Sequence, residues 1–295
     1  MGASSAWAQA ARVPAPFSRR FKLHSRHVGD DFVIDIALPA PYLPSAAPWP
    51  VLFVTDGNLA FATAAATMGI LPLEPGGPRP ACVVGIGYDL AGEGEHGEHF
   101  ARRSRDLTPR RVEEWEARMR TAPPPFRFED DVQTGGGDRF LDFIIDELKP
   151  WLADNLSVDT DDCTLAGSSF GATLTLYALF TRPGAFRGHL AISPALWWAN
   201  YQLVCMEEEF ARSHADLAAA LHLCVGGAEE AQAPAARMVS AFREFASKIE
   251  ARAYPSLRLT HEVLPGETHI SVFNAGLSNG IRRLFGAIWP ADWTD

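Results

Sequence analysis

Eight short apolar runs constrain the fold of this 295-residue chain more than any other feature. They occupy residues 21–27, 32–38, 50–55, 81–87, 163–166, 189–192, 221–225 and 257–264. Several are apolar at nearly every position, which is typical of parallel strands that are buried on both faces. The first two flank Gly29 and Asp30 and are expected to pair antiparallel. Because helical patterns separate most of the others, the sequence predicts an α/β fold with a central, mostly parallel eight-stranded sheet and helices on both faces.

Three of the helices can be placed from their apolar spacing. Residues 138–153 form the first, with Asp138 as the expected N-cap. Residues 169–180 form the second, directly after the fifth apolar run. Residues 234–253 form the third, and Pro234 lies in its expected first turn, a position that tolerates proline.

Two long polar stretches, at residues 91–136 and 195–217, interrupt this alternation. Segments of such length in a compact domain are more often functional than idle connections. Both follow the carboxyl ends of predicted strands, where open α/β sheets hold their sites. We therefore expect a flexible tail over residues 1–20, then a single domain over residues 21–290 that carries both stretches as lid-like insertions.

The segment Gly167-Ser168-Ser169-Phe170-Gly171 has the form G-x-S-x-G and lies between a predicted strand and a predicted helix. A serine on such a strained turn exposes its hydroxyl, and the flanking glycines relieve crowding around it. The helix N-terminus directs positive charge density at the same point. Ser169 is therefore the candidate nucleophile, and the backbone N–H of Phe170 is a candidate oxyanion donor. Ser168 is the alternative nucleophile, although it holds the x position, and a turn serine that only caps a helix would give the same pattern.

A serine nucleophile needs a general base, because its hydroxyl is weakly reactive at neutral pH. Where this turn carries the nucleophile, the chain order is serine, acid, histidine, so the base should follow the last strand. His269 lies there, at the start of the final predicted helix, and Gly266 gives its loop freedom. His261 lies within the last apolar run and is expected to be structural. The remaining candidates occupy the wrong topological positions: His189, His214 and His222.

The acid that orients the histidine should follow the run at residues 221–225. Glu229 and Glu230 both lie in the loop after that run. We take Glu229 as the first candidate and Glu230 as the alternative. A pair of solvated carboxylates without a catalytic role would give the same pattern.

A second oxyanion donor is expected in the turn after the third apolar run, where Asp56-Gly57-Asn58 precedes a helical segment. Backbone N–H groups of such a turn can point at a developing oxyanion. We favour the N–H of Asn58, with that of Gly57 as its neighbour. A tight turn that only caps the helix is the alternative.

Candidate substrate contacts come from both predicted insertions. Five arginines fall within residues 102–111, and Arg102 and Arg103 are the candidates to bind an anionic or hydrogen-bonding substrate. Ion pairs with the surrounding carboxylates would explain the same cluster. Trp197 and Trp198 are expected to form an apolar wall, although core packing readily explains one of the two.

Composition narrows the classes of function. The net charge of −10 argues against non-specific binding to nucleic acid or to anionic membranes, so no such partner is expected. Apolar residues make up 47% of the chain, which suffices for a core without disulfides or metals. The nine histidines and four cysteines form no cluster with zinc-ligand spacing, so we expect no metal site.

The cysteines and the N-terminus bear on the compartment. Cysteines at 82, 163 and 224 lie in apolar runs, which predicts buried free thiols and fits a reducing, cytoplasmic location. No run of about 18 apolar residues predicts a membrane-spanning helix. The first residues end in Ala-Gln-Ala, as at a signal-peptidase site, but lack a basic start and an apolar core. Export by a truncated signal is the alternative.

In their order along the chain, these features resemble the esterase D-like putative esterase family of the α/β-hydrolase superfamily, and above all its predicted hydrolases related to trilactone siderophore esterases. The similarity extends from about residue 21 to residue 285. The segments that carry it are WPVLFVTDGNLAF, VVGIGYD, RRSRDLTP, GGGDRFLDFIIDELKPWL, AGSSFGATLTLYALFTRPGAF, AISPALWW, VGGAEE and PGETHISV.

The resemblance implies an α/β-hydrolase fold and hydrolysis of a small-molecule carboxylic ester or lactone through an acyl-serine, without a cofactor. By position, it implies Ser169 as nucleophile, His269 as base, and Phe170 and Asn58 as amide donors. Glu229 falls where relatives often have an acid, but some siderophore esterases look like Ser–His dyads. A thioesterase or an acyltransferase with the same residues is the alternative within enzymes. A hydrolase-like binding protein without turnover is the alternative outside them.

Overall fold

The computed structural model describes residues 17–39, 48–90, 95–124 and 126–286. Residues 1–16 of the expected tail and residues 287–290 of the expected domain lie outside these ranges. Residues 18–20, which were expected in the tail, belong to the first strand.

All eight predicted strands are present, with boundaries that differ by a few residues. They are β1 Ser18–Ser25, β2 Asp30–Ala37, β3 Trp49–Val54, β4 Cys82–Tyr88, β5 Val158–Ser168, β6 Gly188–Ile192, β7 Ala219–Gly226 and β8 Leu257–Leu264. They form one sheet in the order β1-β2-β4-β3-β5-β6-β7-β8. The pairs β1–β2 and β2–β4 are antiparallel, and the other neighbouring pairs are parallel. The expected mostly parallel sheet is therefore confirmed.

Helices cover both faces of this sheet. In chain order they are α1 Gly57–Ile70, α2 Glu95–Asp106, α3 Glu113–Arg120, α4 Gly137–Asp142, α5 Lys149–Asn155, α6 Phe170–Thr181, α7 Trp198–Ser213, α8 Glu229–Gln232, α9 Met238–Arg252 and α10 Val272–Phe285. Side chains of α1 and α10 pack together against one face of the strands. Those of α4 to α7 and of α9 pack in a larger core on the other face. Every residue of β4, β6 and β7 is buried, because both of their faces are covered.

Two predicted helices differ from those observed. Residues 138–153 are not one α-helix, because a π-helical turn, Phe143–Leu148, separates α4 from α5. Pro150 follows this turn and cannot donate a backbone hydrogen bond, which is a common cause of such irregularity. Asp138 is also not the N-cap, since Gly136 precedes α4 and the Asp138 carboxylate accepts hydrogen bonds from Tyr177 and Arg182.

The predicted helix at residues 234–253 begins later, at Met238. Pro234 lies instead in a separate 3₁₀ turn, Pro234–Ala236. Arg237, with φ of 47°, separates this turn from α9. Both predicted insertions contain helices: α2 and α3 lie in the first and α7 in the second. Among the described residues, no helix is long and apolar enough to span a bilayer.

Candidate active site

Ser169 lies on the turn between the end of β5 and the start of α6. Its φ of 57° and ψ of −117° are strained values for a residue with a side chain, as expected at a nucleophile turn. The turn is also crowded. A Cβ on Gly167 would lie 2.3 Å from the carbonyl carbon of Gly171, and a Cβ on Gly171 would lie 2.2 Å from Thr55 Oγ1. Only glycines fit at these two positions of the motif.

His269 and Glu229 complete a chain of hydrogen bonds to this serine. His269 lies in the turn between β8 and α10, and its Nε2 is 3.0 Å from Ser169 Oγ. Its Nδ1 is 2.7 Å from Glu229 Oε2. The His269 side chain is 37% exposed, whereas that of Glu229 is 1% exposed. Residues from three separate strand ends thus meet in the arrangement that activates a serine hydroxyl.

The structure distinguishes the two candidate acids. Glu229 points inward, and its Oε1 accepts the Gly226 N–H at 2.7 Å. Glu230 points away and accepts hydrogen bonds from the N–H and hydroxyl of Ser240. These hydrogen bonds hold the pKa of the Glu230 carboxyl below its ordinary value. Of the two carboxylates, only Glu229 is hydrogen-bonded to His269.

The two candidate oxyanion donors lie at adjoining helix N-termini. Phe170 is the first residue of α6, and Asn58 lies in the first turn of α1. Their backbone N–H groups have no acceptor within their own helices. The Asn58 side chain exchanges two hydrogen bonds with the backbone of Tyr88, which joins α1 to β4. The glycine contacts described above bring the α6 turn against Thr55, directly before the α1 turn.

The two candidate arginines are engaged in ion pairs rather than free for a substrate. Arg103 donates two hydrogen bonds to Asp56, at 2.8 and 3.0 Å, and lies 5.3 Å from the centre of the Phe170 ring. Arg102 contacts Asp30 at 2.9 Å and the Asp31 carbonyl at 2.6 Å. Both side chains are 13% exposed. The structure thus favours the ion-pair alternative over the predicted substrate contacts.

The two candidate tryptophans differ in their surroundings. Trp198 is 2% exposed, and its indole N–H donates to the Arg110 carbonyl, so the predicted substrate contact does not fit it. Trp197 is half-buried and packs on Trp115 and Phe170, with ring centres 5.6 and 6.3 Å away. As the sequence allowed, one of the two tryptophans belongs to the core.

Two residues beside the site were not expected from the sequence. Trp115, on α3, packs its ring against those of Phe170 and Trp197. The amphipathic spacing of residues 112–119 indicates a helix with one packed face, but it does not show which surface that face contacts. Ser193 follows β6, and its hydroxyl contacts Glu229. The apolar sequence around Ser193, at the end of a strand, did not indicate that its hydroxyl would contact the candidate acid.

No group of three or more His, Cys, Asp or Glu side chains could hold a metal ion within the described ranges. Cys82, Cys163 and Cys224 are free and buried, and Cys205 is free and exposed.

Comparison with known proteins identifies the family. The model of the family described as "Putative esterase" matches residues 25–284. The chain belongs to this family of carboxylic ester hydrolases. The expected esterase class and the expected family are thereby confirmed.

Similar proteins of known activity include two siderophore esterases. The chain is 33% identical over 190 residues to the siderophore triacetylfusarinine C esterase of Aspergillus fumigatus, an alignment that covers 63% of this chain but only 58% of that protein. It is 27% identical over 267 residues to the ferri-bacillibactin esterase BesA of Bacillus subtilis, covering 88% of this chain and 86% of that protein.

Solved structures agree with this assignment. The BES protein from Bacillus cereus superposes with a TM-score of 0.77 at 27% identity, covering 94% of this chain and 99% of that one. The siderophore hydrolase EstB from Aspergillus nidulans superposes with a TM-score of 0.76 at 26% identity, covering 96% and 99%. The expected α/β-hydrolase fold is confirmed.

Proposed function

We propose that this esterase hydrolyses siderophore-type esters or lactones through an acyl intermediate on Ser169. The observation that carries the proposal is the continuous set of hydrogen bonds from Ser169 Oγ through His269 to Glu229, at 3.0 and 2.7 Å. The siderophore substrates named for two similar enzymes support the substrate class.

In the first half-reaction, Ser169 Oγ attacks the ester carbonyl carbon while His269 Nε2 accepts the hydroxyl proton. Negative charge develops on the carbonyl oxygen, and the N–H groups of Phe170 and Asn58 stabilise it. His269 then gives its proton to the leaving alcohol oxygen as the carbon–oxygen bond breaks. Glu229 stabilises the positive charge that the imidazole carries between these two steps.

In the second half-reaction, water attacks the acyl-serine carbonyl while His269 accepts a proton from it. The tetrahedral intermediate collapses, the carboxylic acid leaves, and Ser169 regains its proton.

Trp197, together with Trp115, offers an apolar surface next to Phe170 for the substrate. Aromatic faces suit substrates with apolar or aromatic groups around the ester.

Replacement of the nucleophile tests the proposal. Ser169→Ala should lower kcat for p-nitrophenyl esters and for a trilactone siderophore by roughly a millionfold, because no acyl-enzyme can form. It should also abolish labelling by a fluorophosphonate probe. Ser168→Ala is the matched control, and its kcat should stay within about threefold of the parent's. Full activity of Ser169→Ala would contradict the proposal, and hydrolysis of simple esters without that of siderophores would contradict its substrate class.

We also propose that the protein works in a reducing compartment, the cytoplasm. Three separate free thiols, Cys82, Cys163 and Cys224, are buried in the core. Free thiols persist where cellular reductants maintain them. Recovery of the protein in an extracellular fraction would contradict this part of the proposal.

A further inference from the structure

We infer, on the basis of the proposed function, that Ser193 is a positioning residue that holds the Glu229 carboxylate and, through it, the His269 ring. Its hydroxyl oxygen is 2.6 Å from both Glu229 Oε1 and Glu229 Oε2. It is also 3.2 Å from His269 Nδ1. No other side chain in the described ranges contacts both the carboxylate and the imidazole with a hydroxyl group.

The hydroxyl completes the hydrogen bonding of a buried charge. Oε1 of Glu229 accepts the Gly226 N–H, and Oε2 accepts the His269 Nδ1–H when that nitrogen carries the proton. The Ser193 hydroxyl supplies a third donor. Because Glu229 is 1% exposed, water cannot replace a donor that is removed. The three donors together fix the carboxylate plane, and this plane sets the direction of the imidazole.

The backbone of Ser193 is also consistent with a positioning role. Ser193 is fully buried and has a φ of 52°, in the left-handed region that favours glycine. Its N–H donates to the Cys224 carbonyl at 2.7 Å, which joins the turn after β6 to β7. A residue with a side chain in such a conformation at a reaction centre indicates that the side chain is used there. Glycine would fit the backbone, but it would lack the hydroxyl.

Ser193 should therefore affect the chemical step and not substrate binding. Without the hydroxyl, the Glu229 carboxylate loses one of its donors and can rotate, and the His269 ring loses its fixed direction towards Ser169. Charge on the imidazole develops during the reaction, so kcat should change much more than KM.

The test compares Ser193→Ala and Ser193→Gly with the parent, by p-nitrophenyl ester hydrolysis and by the rate of Ser169 labelling with a fluorophosphonate. Both variants should lose about 10-fold to 100-fold in kcat and in labelling rate, with KM changed by less than about twofold. Thermal unfolding checks the fold, and the glycine variant accommodates the positive φ if alanine does not. Ser240→Ala is the matched control, because it removes the serine donor of Glu230. Its kcat should match that of the parent.

A double-mutant cycle separates positioning from a general structural effect. In a Glu229→Gln background, Ser193→Ala should cost less than about threefold in kcat, because the group that it positions has lost its charge. Equal losses in both backgrounds would overturn the inference, as would native kcat and labelling rate in the single variants.

Proton NMR tests the inference independently of turnover. The His269 Nδ1–H of the parent should give a downfield resonance that broadens or shifts in Ser193→Ala. An unchanged resonance would overturn the inference. If the parent neither hydrolyses esters nor reacts with the probe, the proposed function fails, and the resonance still decides whether Ser193 positions the pair.

Discussion

Glu229 and Glu230 are neighbours of the same chemistry with opposite surroundings. In the helical turn α8, consecutive side chains point in different directions. Glu229 is therefore directed at His269 and Ser193, whereas Glu230 is directed at Ser240 on α9. The orientation of the short helix α8 therefore determines which of the two glutamates can form a hydrogen bond with His269.

Substitution of each glutamate tests this difference. Glu229→Gln should lower kcat by roughly 100-fold to 10,000-fold, because a neutral amide cannot stabilise the imidazolium and allows the wrong tautomer. Glu230→Gln is the matched control, and its kcat should remain within about twofold of the parent's. Steady-state ester hydrolysis measures both. A small loss in both variants would indicate that Ser169 and His269 act as a dyad.

Local patterns were sufficient to select Ser169 and His269 as candidates that the structure brings within 3.0 Å of each other, but they did not show which residues surround the candidate acid. Ser169 lies in a motif whose glycines reflect the crowding around it, and His269 follows the last strand, 100 residues later. The choice between Glu229 and Glu230 depended on contacts with other segments. Ser193, for example, lies 36 residues before Glu229 and at the end of a different strand. Only the folded sheet brings the two together.

At the scale of elements, the arginines of α2 form ion pairs with two other parts of the chain, β2 and the turn before α1. Arg102 and Arg105 both contact Asp30, the first residue of β2. Burial opposes ionisation of Asp30, but the hydrogen bond from Arg105 and the charge of Arg102 outweigh it and hold the pKa of this carboxyl below its ordinary value. Arg103 fastens the same helix to Asp56, before α1. Helix α2 is therefore connected to the candidate oxyanion turn.

This role of the arginines could not be predicted from their local sequence. Asp56 lies 47 residues before Arg103, and Asp30 lies 75 residues before Arg105. A cluster of arginines beside a predicted site has the same local pattern whether it binds substrate or pairs with distant carboxylates. The π-helical turn before α5 is a similar case, because apolar spacing does not distinguish it from a regular helix.

Loss of the Arg103–Asp56 pair should reduce both stability and activity. Arg103→Met leaves the Asp56 carboxylate, whose side chain is only 12% exposed, without its main partner and should lower the free energy of unfolding by about 3 kcal/mol. Arg103→Lys keeps the charge but loses the bidentate contact with Asp56. Its free energy of unfolding should therefore fall by about 1 to 2 kcal/mol. Because Asp56 precedes the Asn58 turn, kcat should fall by about 10-fold or more in the methionine variant.

Urea unfolding and ester hydrolysis measure these effects. Arg19→Met is the control, because Arg19 is exposed on β1 and, among the described residues, its side chain donates only to the carbonyl of its neighbour Ser18. Its stability should change by no more than about 0.5 kcal/mol. Parent-like stability and kcat in Arg103→Met would contradict a role for the pair in holding the turn.

At the scale of the whole molecule, a histidine is buried within the central sheet. His189 lies in β6, opposite Leu165 of β5 and Leu221 of β7, and it is 2% exposed. Neither of its ring nitrogens has a hydrogen-bond partner among the described residues. Burial, together with the charge of Lys149, lowers the pKa of His189 to about 3. The ring is therefore neutral in the folded protein throughout the physiological range.

This histidine should make the fold sensitive to acid. In the unfolded chain a histidine binds a proton at about pH 6.5, whereas folded His189 does so only near 3, so stability is lost as pH falls between these values. The loss approaches about 1.4 kcal/mol per pH unit well below pH 6.5, and it amounts to about 2 kcal/mol between pH 8 and pH 5. His189→Leu removes this contribution. Urea unfolding at about pH 8 and about pH 5 should therefore show the parent losing about 2 kcal/mol more than the variant. A change in packing alone would alter the free energy of unfolding by the same amount at both pH values. A difference in stability between parent and variant that does not grow towards acid pH would therefore contradict a buried neutral histidine.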